Sequence, residues 1–264
     1  MKDYSYWETK HFIHHWDALI VGSGITGLTT GIFLKRKFPD WKIAILERGV
    51  LPSGASTRNA GFACFGSVSE ILDDLTRMSE KEVFDLLAKR YEGLNVLRET
   101  LSDSLLGYKP TGGYEVFKEG SEESYRECLG SLSYINAELV QCIRKQAFKD
   151  TSNRITEFGF GGVENMIVNE LEGTVDTGLM MKNLVSLARE KGIEIFNGIE
   201  VKQMDSSGSV CILDTNIGEI LSDRVVVATN GFAKELIPEI EVTPNRAQVL
   251  LTSPIENLKW SGCF

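Results

Sequence analysis

Histidine is nearly absent from this chain. Of 264 residues only three are histidine, and His11, His14 and His15 all fall in the first fifteen positions. A reaction needing a histidine base from the body of the chain is thereby excluded. Cysteine is sparse and unpaired: Cys64, Cys128, Cys142, Cys211 and Cys263 are odd in number and show no CxxC spacing. That pattern offers neither a disulfide framework nor a zinc site, and it fits a reducing cytoplasm. No metal is expected, because adjacent His14 and His15 cannot both face one ion from a helix. Long apolar runs are missing; residues 18–21 and 225–229 are strand-sized, well short of a membrane span. The first residues lack the basic start and apolar stretch of a secretory signal. Positive charge is the scarcer sign, with 28 Lys+Arg against 37 Asp+Glu and a net charge of −9. Nucleic-acid binding is disfavoured, since neutralising phosphates takes clustered cations.

What is present is ordinary globular composition, 42% hydrophobic and 25% charged. The length allows one large domain or two modest ones. Residues 1–16 are rich in aromatics (Tyr4, Tyr6, Trp7, Phe12, Trp16) and read as an arm that lays its rings over the domain behind it. From Asp17 the pattern changes to a short apolar strand, a glycine-rich turn, a helix over 28–38, a Pro39-Asp40 break and a second strand over 42–47. Strand, helix and strand within about thirty residues make a βαβ unit. A loop rich in Gly, Ser, Thr and Asn follows over 48–67, long enough to suspect function. Helical patterns cover 69–78, 80–101, 121–145 and 177–191, and a strand is expected at 112–117. Short strands at 193–196, 199–204, 209–214, 218–221 and 224–228 read as the rest of a parallel sheet plus a small β-meander.

Gly22-x-Gly24-x-x-Gly27 lies directly after a strand and opens a helix. Gly22 permits the tight turn, Gly24 lets a pyrophosphate approach the backbone, and Gly27 lets helix and strand pack closely. The helix N-terminus then faces the diphosphate. Glu47 ends the next strand twenty residues after Gly27, placed to accept both ribose hydroxyls of an adenosine. It would also repel a 2′-phosphate, so NADP is disfavoured. A glycine-rich turn with a surface glutamate is the plainer alternative. Residues 51–62 add hydroxyls, the fixed charge of Arg58 and glycines, which suit a second diphosphate contact and the neighbourhood of a flavin ring. A helix cap with a surface arginine is the alternative there, and an NAD-dependent dehydrogenase remains open as a second enzyme class.

With these motifs the chain resembles the D-amino-acid-oxidase-like (DAO) family of FAD-dependent amine and amino-acid oxidoreductases, which includes glycine oxidase, sarcosine oxidase and the γ-glutamylputrescine-oxidase type. The resemblance rests on Gly22-x-Gly24-x-x-Gly27, on Glu47-Arg48, and on residues 54–62. It is extended by Thr111-Gly112-Gly113, Glu172-Gly173-Thr174-Val175-Asp176, Gly198-Ile199-Glu200-Val201 and residues 226–231. Pro244-x-Arg246-x-Gln248 is similar to a family segment, with Ala247 replacing its usual Gly.

The resemblance implies FAD as cofactor and an α/β fold: a Rossmann-like FAD-binding domain interrupted by an α+β substrate domain. Residues 17–107 and 153–232 would form the FAD-binding domain, and 108–152 and 233–264 a partial substrate domain. Ile25 and Thr26 would lie at the diphosphate, and Glu47 with Arg48 at the adenosine ribose. Ala55 and Ser56 would continue the diphosphate contacts, Arg58 and Asn59 would belong to the same cofactor-binding segment, and Ala60, Gly61 and Phe62 would approach the isoalloxazine. Val201 would meet the adenine, and Thr229, Asn230 and Gly231 would pass near the cofactor. Val201 and Phe62 read equally well as core residues. Cys64 reads as a small buried cysteine rather than a flavin attachment point, and Cys263 is given no role. The implied activity is oxidation of a small amine or amino acid by hydride transfer to flavin N5, with no catalytic residue assigned. The family continues beyond the region matched here, so the C-terminal portion is expected to be missing. Weak FAD binding, apolar exposure near 247–252 and 260–264, and self-association are expected to follow, and a non-catalytic nucleotide-binding remnant is a further alternative.

Overall fold

The structure is a computed structural model that describes residues 4–245, 247–253, 255–258 and 262–264. Arg246, Trp260 and Ser261 therefore lie outside the described residues. In chain order the helices are α1 (Tyr6–His11), α2 (Ile25–Lys37), α3 (Ala55–Arg58), α4 (Val68–Arg77), α5 (Glu80–Leu101), α6 (Asp103–Leu106), α7 (Glu122–Ile143), α8 (Ile155–Phe158), α9 (Thr177–Glu190) and α10 (Ala233–Leu236). The strands are β1 (Ala18–Val21), β2 (Ile43–Glu47), β3 (Phe62–Ala63), β4 (Gly113–Lys118), β5 (Phe148–Asp150) and β6 (Val163–Asn169). They continue with β7 (Gly173–Thr174), β8 (Glu194–Asn197), β9 (Val201–Ser207), β10 (Val210–Thr215), β11 (Gly218–Ser222) and β12 (Val225–Val227). No described helix is long and apolar enough to cross a membrane.

Two compact units divide the chain, one running to Asn59 and resuming at Thr177–Val249, the other Ala60–Asp176 with Leu250–Phe264. The first is built on a parallel sheet ordered β12-β1-β2-β8. Every residue of β1 is buried, as an apolar run in a central parallel strand covered on both faces must be. On one face, a Cβ at Gly31 of α2 would sit 3.3–3.4 Å from the δ-carbons of Ile20, Ile45 and Ile193, so the helix packs close enough on the sheet that a larger residue would push these methyl ends aside. On the other face, Leu19, Val21, Ala44 and Leu46 meet Leu213 and Ile220 of the antiparallel sheet β11-β10-β9. The period of two in these strands sorts the side chains between the two layers.

The aromatic arm docks only in part. Trp16 is buried, His14 stacks on it at 4.2 Å, and the Tyr4 hydroxyl donates to the Ile217 carbonyl. Tyr6, Trp7 and Phe12 are 67%, 64% and 55% exposed, against the expectation that all the rings pack down. They belong to or adjoin α1, a single capped turn and a half with no buried residue.

The second unit holds the antiparallel sheet β4-β6-β5 and the small ladder β3-β7. Helices α4, α5 and α7 close its core around Phe65, Val83, Leu87, Ile135, Leu139 and Ile167. Ser67 with Glu70, and Ser79 with Glu82, form capping boxes that set the starts of α4 and α5. Buried Asn136 of α7 donates to the Phe148 carbonyl at 2.9 Å and accepts the Ala147 and Phe148 N–H groups, fixing β5 to the helix.

The units part at 59/60 and 176/177. The reason is β6, which the pattern did not reveal. It pairs with both β4 and β5, so residues 153–176 stay with the second unit, and α4 and α5 stay there by packing on α7. Leu250 and Leu251 are 95% and 96% exposed. Cys263, expected on an exposed end, is instead buried, and Phe264 stacks on Tyr114 at 4.9 Å.

Candidate functional site

In the first unit the turn after β1 is held by close backbone approach. Gly22 has φ +106°, and a Cβ there would lie 2.8 Å from the Ala228 carbonyl oxygen. A Cβ on Gly27 would fall 1.9 Å from the Gly22 oxygen, so the third glycine is what lets α2 start against the turn. Gly24 is the N-cap of α2 and brings no side chain to it. The Ser56 hydroxyl instead accepts the Ile25 N–H at 2.9 Å. The Thr26 and Gly27 amides stand in the first turn, where no preceding carbonyl of the helix can accept them.

Glu47 closes the site from β2. One carboxylate oxygen accepts the Ser23 N–H at 3.0 Å and its hydroxyl at 2.7 Å; the other accepts the Gly49 N–H at 2.8 Å. A carboxylate has about four lone-pair sites, so Glu47, half-buried at this edge, keeps capacity for a further hydroxyl donor rather than for several. Gly198 and Ile199 donate to the Gly49 and Glu47 carbonyls at 3.1 and 3.0 Å, which brings the chain leading into Val201 beside the same carboxylate. Beyond β12, the Thr229 hydroxyl is buried with no hydrogen-bond partner, and Asn230 has φ +50°.

Among the expected site residues, Gly22, Gly24, Ile25, Thr26, Gly27, Glu47, Ser56, Val201 and Thr229 thus lie around the C-terminal ends of β1, β2 and β12. Ligands of open α/β sheets bind at such an edge. Ala55 and exposed Arg58 form α3 with Ser56, and Asn59 donates to the Ala55 and Ser56 carbonyls at 3.2 and 3.0 Å. Arg48 lays its guanidinium 4.1 Å over the Phe232 ring and 3.9 Å from Glu235. Asn230 and Gly231 begin the turn into α10. Ala60, Gly61 and Phe62 belong to the second unit. Gly61 is buried at φ +77°, and Phe62 is 52% exposed, which removes its alternative as a core residue. Val201 packs partly buried against the first unit's core.

These features fit FAD on grounds internal to the structure. The glycine cradle has no room for Cβ atoms, the helix start presents open amides, and the orphaned Thr229 hydroxyl awaits a polar neighbour.

A second concentration of polar chemistry lies wholly within the second unit. A cavity of ≈240 Å³ is lined by Phe62, Cys64, Glu115, Glu172 and Cys263, among others. Glu172 is 5% exposed and one of its oxygens accepts the Phe65 and Gly66 N–H groups at 2.7 and 3.2 Å. Burial raises its pKa above the usual carboxylate range, with the two amide bonds opposing. Ser23 and Glu172 carry these roles unassigned by the sequence pattern. Ser23 is an unmarked position of the glycine motif, and Glu172 was visible only as part of a family string. Cys64 is exposed, not the buried cysteine expected.

The fold and site define a Rossmann-like, FAD-binding α/β protein. The chain belongs to the DAO family of FAD dependent oxidoreductases, whose family model matches residues 17–262. It is 26% identical over 234 residues to a probable oxidoreductase OrdL of Rhizobium meliloti, covering 84% of this chain and 51% of that protein. It is similar in structure to glycine oxidase of Geobacillus kaustophilus, with a TM-score of 0.63, 22% identity, and 84% of this chain covering 57% of the other. L-amino acid deaminase of Proteus myxofaciens gives a TM-score of 0.65 at 18% identity, with 84% and 47% covered. The chain spans about half the length of these relatives.

Proposed function

We propose that this chain is the FAD-holding portion of an enzyme that oxidises a small amine or amino acid, working in the cytoplasm. Bound FAD supplies the acceptor for a hydride leaving the carbon that bears the nitrogen, and water then hydrolyses the imine product. The chain's own contribution is to bind and orient. The Gly22–Gly27 turn and the amides of Thr26 and Gly27 take the diphosphate, with Ser56 beside them. Glu47, held in one orientation by both donors of Ser23, takes a ribose hydroxyl. Val201 flanks the adenine. Thr229 offers its hydroxyl to the cofactor. The mechanism calls for no histidine, in keeping with a chain body that has none.

The observation that carries this reading is the convergence of the glycine turn, Glu47 and the unpartnered Thr229 hydroxyl on one edge of the parallel sheet. Visible absorbance tests it directly, because bound flavin is yellow and a nicotinamide is not. Gly24→Val places branched carbons where the backbone should meet phosphate, against the Ser56 hydroxyl that a Cβ would already approach to 3.0 Å. This variant is expected to keep its sheet, read by circular dichroism, and to lose FAD. Stoichiometric FAD retained by Gly24→Val would place the phosphate site elsewhere.

A further inference from the structure

The second unit brings two cysteines together that are 199 positions apart in sequence. Ala63 of β3 pairs with Gly173 of β7, and the next residue is Cys64. The Cys263 sulfur donates to that same Gly173 carbonyl at 3.2 Å, and Cys263 bridges Gly113 on the other side. A Cβ on Gly113 would lie 1.9 Å from a Glu172 oxygen, so Glu172 stands at the same point. Cys64, next to Ala63, and Cys263, on the Gly173 carbonyl opposite Ala63, are thereby neighbours at the Glu172 carboxylate. All three side chains line the cavity described above. Cys128, Cys142 and Cys211 line no part of it.

We infer that Cys64 and Cys263 are a disulfide-forming pair, oxidised by a peroxide and served by Glu172 as proton acceptor, whose bridge ties the strand after Gly61 to the segment at Cys263. The inference rests on the second unit alone and is independent of the flavin reading.

Interaction between the two thiols pushes the Cys64 thiol up and the Cys263 thiol down, so Cys263, which gives up the proton it shares with the Gly173 carbonyl, is the first to react. The Cys263 sulfur attacks one peroxide oxygen, the O–O bond breaks, and a sulfenic acid and one water result. The Cys64 sulfur then displaces the hydroxyl from Cys263. Its proton passes to Glu172 and on to the departing hydroxide, giving the S–S bond and a second water. In sum, two thiols lose two electrons and two protons to one peroxide, and Glu172 ends as it began. In a reducing compartment such a bridge is transient and regulatory rather than structural.

Hydrogen peroxide added to the purified protein tests this. The free-thiol count of five should fall by two, with unreduced peptide mapping recovering Cys64 joined to Cys263 and dithiothreitol reversing both changes. Cys64→Ser should abolish the crosslink and leave a sulfenic acid on Cys263 that dimedone traps. Cys128→Ser should leave the crosslink unchanged. Sulfinic acid on Cys64 or Cys263 without a crosslinked peptide, or a Cys64 crosslink to any other cysteine, overturns the pairing. Dimedone labelling of Cys64 in Cys263→Ser as fast as that of Cys263 in Cys64→Ser overturns the order. Because the wild-type peptide map decides the pairing by itself, a variant that fails to fold does not shelter the proposal.

Discussion

Each unit of the molecule uses one glutamate to gather donors around a glycine-bearing turn, yet the two carboxylates live in opposite surroundings. Glu47 sits half-buried at the end of β2, its two oxygens shared among three donors from Ser23 and Gly49. Glu172 is buried, and one oxygen carries both amides of the Phe65–Gly66 turn while the other faces Gly113 and Cys64. Water and a ligand hydroxyl can still reach the first. The second is sealed, so its charge is disfavoured and its proton affinity raised. One side chain, differing only in exposure, serves as a ligand acceptor in one place and as a strut and proton acceptor in the other.

Truncation at the sealed site should have the largest effect. Glu172→Ala strands two buried amides, at about 1–3 kcal/mol for each donor left bare. Urea unfolding should show a loss of several kcal/mol confined to the second unit's core; an unchanged midpoint would break the contrast. Glu47→Gln should do the opposite. Its unfolding should move by less than about 0.5 kcal/mol, because water replaces the lost bonds at a half-exposed site. FAD affinity should fall by about 1–3 kcal/mol, the range for a charged hydrogen bond, read by flavin titration in a background that binds flavin. Unchanged flavin retention would remove Glu47 from the site.

The smallest effect is one of slope. With its folded pKa raised, Glu172 binds its proton more tightly folded than unfolded. Its penalty is therefore absent below the ordinary carboxylate pKa and grows as pH rises toward the raised value. Glu172→Gln keeps an oxygen for the Phe65 and Gly66 amides but has no proton to lose. Relative to it, wild-type stability should decline on going from acid toward neutral pH, measured by urea midpoints across that range. Parallel pH profiles would mean that the carboxylate is not held from water.

The two sites also differ in how far they could be read in advance. Gly22, Gly24, Gly27 and Glu47 lie within one βαβ unit, and their spacing alone places them on one sheet edge. Ser23 sits in the same motif, but its bond to Glu47 across 24 positions has no local signature. Helices α5 and α9 follow the apolar period closely, with capping serine and glutamate marking the start of α5. Strand β6 escaped because Val163–Asn169 is buried along its second half without clean alternation, its environment being set by two partner strands. Once β6 is placed, the division of the chain at Asp176 follows from its pairing.

The order of amino acids by itself determined the glycine turn, the acidic end of β2 and the class of fold, because each depends on residues close in the chain and on backbone sterics that act locally. Only the tertiary structure decided which carboxylate is sealed, that Thr229 keeps an unpartnered hydroxyl, and that Cys64 and Cys263 share one cavity. Burial and strand register are properties of segments distant in sequence, as when Glu172 reaches Phe65 across 107 positions. No periodicity of a single stretch encodes them, since the desolvation and hydrogen bonding that give these groups their chemistry come from neighbours the local pattern does not contain.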